Sequence, residues 1–121
     1  MKGTIPILQL DGHLLVSIQV DLHDRLALAF MDELGEAVQR TSAIGVILDV
    51  SSLRIIDSFI GRVLADIARS VALQGARAVI VGIRPEVALT LVELGVELPG
   101  VLTARTVAMA VERLAELERP E

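Results

Sequence analysis

Apolar and polar positions alternate between two rhythms along this chain. Ile5 to Leu10 (IPILQL) alternates imperfectly and carries Pro6, which suits an edge strand. Asp11-Gly12 is a two-residue turn signal and His13 to Val20 continues as a second strand, so the chain opens with a hairpin. From Asp24 the rhythm becomes helical: Ala27, Phe30, Met31, Leu34, Ala37 and Val38 share one face, and the helix ends near Gln39 or Arg40. Ile44 to Val50 is nearly all apolar, as in a central strand covered on both faces. A helix over Ser58 to Leu73 follows, with Ile60, Val63, Leu64, Ile67, Ala68 and Val71 as its buried stripe and Gly75 as its stop. Ala76 to Ile83 is another buried strand. Pro85 fits the first turn of a third helix that Gly95 ends. Pro99-Gly100 turns into a short strand near Val101-Leu102. The last helix runs from Thr106 to Leu117, with Val107, Ala110, Val111, Leu114 and Leu117 on one face.

The order is ββαβαβαβα. Regular strand–helix alternation from Ile44 onward predicts an α/β fold with a mostly parallel mixed sheet, right-handed crossovers and packed helices. The 121 residues suit one domain, read as residues 1–117 with 118–121 as a disordered tail.

Composition narrows the function. The absence of cysteine removes disulfides, thiolate metal sites and cysteine nucleophiles together. A net charge of -5 without a Lys/Arg cluster argues against nucleic-acid binding. Phe30 and Phe59 are the only aromatic residues, so no platform exists for stacking bases or sugars. No apolar run is long enough to span a membrane and the first residues lack a signal-peptide pattern, so a soluble, cytoplasmic protein is expected. The 53% apolar content raises a further expectation: apolar surface beyond what one small core can hide, placed at a subunit interface.

The candidate chemistry gathers around Ser58. As a helix-start serine it is a natural N-cap, its oxygen accepting a backbone N–H. The same position also suits a phosphate, which gains from the free N–H groups and the helix dipole. Beside Asp57, that phosphate would concentrate negative charge on one surface spot. Position alone leaves both readings open. Asp49 and Asp57, eight residues apart, could form an acid–base pair, but a strand-end Asp49 more simply satisfies loop N–H groups, while Asp57 conditions Ser58 and contacts a partner. A hydrolase nucleophile is disfavoured: the G-x-S-x-G elbow is absent, and the only histidines, His13 and His23, lie in or just after the hairpin, His13 in a solvated turn. Gly82 to Glu86 follows a strand and opens a helix, but one glycine and Arg84 make a poor phosphate-binding loop, and Arg84 reads as a surface or interface charge. Arg54 and Arg62 flank Ser58, and either could reach a phosphate there or an acidic partner.

LDVSSLRIIDSFIGRVLADI (Leu48 to Ile67) resembles the signature of STAS domains, the anti-sigma-factor-antagonist family: a strand ending in Asp, a short loop, then Asp-Ser at the start of a helix. GIRPEVALTLVELGV (Gly82 to Val96) is similar to the stressosome branch, that of RsbS-type scaffold proteins and the C-terminal domains of RsbR-type proteins. The N-terminal sensor domain of RsbR-type proteins is not found in this sequence, which favours the RsbS type. The resemblance implies the STAS fold and a non-enzymatic, phospho-regulated scaffold that associates with itself and with RsbR-like partners. It implies an RsbT-like serine/threonine kinase that is held and released, and a phosphatase that reverses the modification. It assigns the acceptor to Ser58, its acidic neighbour to Asp57 and the strand-end carboxylate to Asp49; Arg54, Phe59 and Arg62 complete the expected partner-binding set. RsbR-type domains place a Thr at the Ser58 position and carry a second acceptor after the second strand, where Leu22 stands here, which points to a single-site switch. Simple antagonists continue Asp-Ser-Ser-Gly-Leu, whereas this chain has Asp57-Ser58-Phe59-Ile60-Gly61. A free antagonist binding an anti-sigma kinase directly is the alternative. No cofactor is implied.

Overall fold

A computed structural model describes residues 5–19, 24–54, 57–98 and 100–118. Expectations resting on Val20, Leu22, His23, Ile56 and Pro99 lie outside those residues. Strands β1 (Ile7–Leu10) and β2 (His13–Ser17) lead into helix α1 (Asp24–Thr41) and strand β3 (Gly45–Asp49). Helix α2 (Ser58–Leu73), strand β4 (Arg77–Val81), helix α3 (Pro85–Glu93), strand β5 (Leu102–Ala104) and helix α4 (Val107–Glu118) complete the chain. This is the ββαβαβαβα order read from the sequence.

The strands form one sheet in the order β1-β2-β3-β4-β5. β1 and β2 pair antiparallel, and every later pair is parallel. The hairpin turn holds Asp11 at φ 48° and Gly12 at φ 84°, the double positive φ that a two-residue type I′ connection needs. β1 begins at Ile7 rather than Ile5, because Pro6 has no N–H to give the ladder. β5 is one step later than expected, pairing Leu102, Thr103 and Ala104 with Val79, Ile80 and Val81.

The two sheet faces are covered unequally. On one face Val46, Leu48, Ala78 and Ile80 meet α1 through Phe30 and Leu34, α2 through Leu64 and Ile67, and α3 through Val87 and Leu91. On the other face Ile47, Val79 and Val81 meet α4 alone, through Ala110 and Leu114. This pleat alternation explains why β3 and β4 read as continuous apolar runs: consecutive residues are buried on opposite sides.

Three expectations are corrected here. His13 is not a solvated turn residue: it is 5% exposed. One ring nitrogen, Nδ1, lies 3.2 Å from the carbonyl of Leu10 and the other, Nε2, 3.4 Å from Glu118 Oε2. Glu118 is consequently not tail but the last residue of α4. Leu117, placed on the inner face of that helix by spacing, is 40% exposed, since only Ala110 and Leu114 sit over the sheet centre. The apolar surplus expected from composition is scattered over the described surface, with Leu28 of α1, Leu73 of α2 and Leu89 and Val92 of α3 the most exposed.

Candidate functional site

The loop between β3 and α2 is anchored at its start by backbone and side-chain bonds. The Asp49 carboxylate accepts the N–H of Ser51 at 3.0 Å, the role expected of a strand-end aspartate. Val50 donates to the carbonyl of Val81 at 2.9 Å and accepts from Leu53 at 2.9 Å, which closes a turn. Arg84 enters from the start of α3: its Nε donates to the carbonyl of Ser51 at 2.9 Å. Arg84, read from the sequence as a surface or interface charge, is half-buried at the surface and also ties two loops together.

At the far end of the loop, Asp57 caps α2. Its backbone is extended (φ -112°, ψ -177°) and its carboxylate accepts the N–H of Ile60 at 2.9 Å. The cap reading of Ser58 is thereby corrected by one residue. Ser58 is the first residue of the helix, it is exposed, and its hydroxyl makes no hydrogen bond with any described residue. Aspartate and serine are comparably good caps, so adjacent candidates are separated only by which one keeps an extended backbone.

The remaining predicted residues divide by location. Arg62 is exposed one turn along α2 and lines the same groove as Ser58. Arg54 is exposed on the loop and does not line that groove. Phe59 is half-buried and packs, with Ile60, against the core. Asp49 and Asp57 are committed to separate backbone N–H groups at opposite ends of the loop, so neither is available as half of an acid–base pair. Among the described residues no group of His, Asp and Glu side chains is disposed to hold a metal ion.

The groove beside Ser58 has a volume of about 490 Å³. Arg62, Asp66 and Arg69 of α2 form one wall, and Leu94 to Glu97, after α3, form the other. Arg69 Nη1 is paired with Asp66 Oδ1 at 3.2 Å. Gly61 sets the width. It is buried, and a Cβ there would stand 2.9 Å from Cγ2 of Val96, so only a residue without a side chain lets the far wall lie this close. Sequence reasoning missed this groove. Its signal was present as polar residues at positions 58, 62, 66 and 69, a second helical stripe next to the apolar one.

The chain is similar to several known proteins. RsbRA of Bacillus subtilis (strain 168), an RsbT co-antagonist protein, is 29% identical over 87 residues, which is 72% of this chain and 32% of that protein. The chain thus spans about a third of the length of RsbRA. Two solved structures are similar over nearly their whole length. The S58E form of RsbS from Moorella thermoacetica is 35% identical with a TM-score of 0.84, covering 96% of this chain and 98% of that one. A chain from the molecular architecture of the stressosome, described as a signal integration and transduction hub, is 37% identical with a TM-score of 0.85, covering 95% of this chain and 100% of that one. Residues 4–110 match the STAS domain model, and the chain belongs to the STAS family.

Proposed function

We propose that this chain is a non-catalytic, phospho-regulated scaffold subunit of a stressosome-type assembly, working in the cytoplasm. Unphosphorylated, it packs with further copies and with RsbR-like STAS partners and holds an RsbT-like serine/threonine kinase. Phosphorylation of Ser58 releases that kinase into a stress-response cascade, and a phosphatase resets the subunit. In this reading Asp57 and Arg62, next to the acceptor, contact the partner, and Asp49, Arg54 and Phe59 complete the partner-binding set.

The observation that carries this reading is the Ser58 hydroxyl, unengaged by any described residue. Because Asp57 holds the cap bond to Ile60, Ser58 can be modified without removing a hydrogen bond that starts α2. A phosphate there adds nearly two negative charges at a helix start, altering an interface while the fold persists. The likeness to RsbS and to a stressosome chain supports the scaffold role. The likeness to RsbRA supports the choice of kinase class.

Incubation with an RsbT-like kinase and ATP, followed by mass spectrometry, tests the site. Phosphate is expected on Ser58 and absent from S58A; label that persists in S58A overturns the assignment. Size-exclusion of the chain mixed with an RsbR-like partner is expected to give a large complex, and separate elution of the two counts against the scaffold role.

A further inference from the structure

We propose that Arg62 is the intramolecular receptor of the phosphate on Ser58, a role that rests on the reading of Ser58 as the modified residue. Ser58 and Arg62 stand four residues apart on α2 and line one groove. Residues so spaced lie one above the other on a helix face, with Cβ atoms about 5–6 Å apart, within reach of a phosphate and a guanidinium.

The groove leaves the phosphate few alternatives. Arg69 is occupied by Asp66 at 3.2 Å, whereas Arg62 forms no ion pair or hydrogen bond with any described residue. The N–H of Ile60, which a phosphate at a helix start would otherwise seek, is taken by Asp57. The Asp57 carboxylate beside the acceptor repels the new dianion, and Glu97 on the opposite wall repels it from crossing the groove. The favourable direction is therefore along α2 toward Arg62.

This pairing gives the modification two effects at one place. The dianion appears, and the unpaired cation of the α2 wall is consumed at the same moment. A partner carboxylate seated on Arg62 loses its counter-charge as it meets the phosphate.

The test uses the full chain with phosphoserine encoded at position 58, so that no kinase is needed, and follows the phosphate by ³¹P NMR across pH. Arg62 is expected to stabilise the dianion. R62Q should raise the second phosphate pKa by about 0.4 units, R62K should restore most of the difference, and about 0.5 M NaCl should narrow it. R69Q should leave the titration unchanged. An R62Q titration that superimposes on the unsubstituted one, or an R69Q shift as large as that of R62Q, overturns the proposal. A kinase assay that fails to label Ser58 would instead remove the proposed function while leaving the measured pair intact.

Discussion

Gly61 and Val96 are in contact across the groove, so closely that a Cβ on Gly61 would stand 2.9 Å from Cγ2 of Val96. The contact joins the start of α2 to the segment after α3 and fixes the groove in which Ser58 and Arg62 lie. G61A gains helix propensity worth about 1 kcal/mol but overpacks this contact, which costs about 1–3 kcal/mol. A net loss of about 1 kcal/mol is expected in urea denaturation. V96A in the same chain should recover part of it, so that the double variant loses less than the sum of the two single ones.

The cap assignment separates two neighbouring residues. D57A removes the carboxylate that accepts from Ile60 and is expected to cost about 1 kcal/mol. S58A removes a hydroxyl that bonds to nothing described and should change stability by less than about 0.5 kcal/mol. Equal losses in the two variants, measured by denaturant titration, would return the cap to Ser58.

The α4 face depends on one large side chain. Leu114 is 1% exposed and is the only bulky fully buried residue that α4 supplies among those described. L114A is expected to cost about 3 kcal/mol, because α4 has no second large anchor with which to collapse the cavity. Thermal unfolding measures the loss. A change under about 1 kcal/mol would mean that the sheet holds α4 by other contacts.

Arg84 predicts a local effect rather than a global one. R84A leaves the carbonyl of Ser51 without its side-chain donor at the surface, a loss of about 1 kcal/mol. Amide exchange should quicken in the 51–54 turn before it quickens in β3 or β4. Unchanged exchange in that turn would show that the backbone bonds of Val50 and Leu53 suffice to hold it.

Much of the fold was legible because its signals are local. The apolar stripe of α2 repeats every three or four residues, and β3 and β4 are too short and too apolar to be anything but covered strands. The Asp11-Gly12 turn carries its own conformational signature. What was hidden depends on distant or very fine geometry. The buried His13 meets Glu118, 105 residues away, which no window around the hairpin can reveal. Gly61 is small on account of Val96, a residue from another loop. The cap lies on Asp57 rather than Ser58 by a difference in backbone angles alone. Arg62 was visible as a candidate, but its freedom from other partners among the described residues became visible only once Arg69 was seen to hold Asp66.

The strand order has a kinetic consequence. Each strand is hydrogen-bonded only to strands adjacent to it in sequence, β1-β2-β3-β4-β5, with no later segment inserted between earlier ones. Every pairing step therefore closes only a tight turn or a single crossover, which keeps the entropy of loop closure low. The sheet can grow in the order of synthesis. The β3–α2 unit that presents Ser58 docks on a completed hairpin while α3, β5 and α4 are still being made. The single-helix face closes last, after the segment bearing Ser58 is already in place.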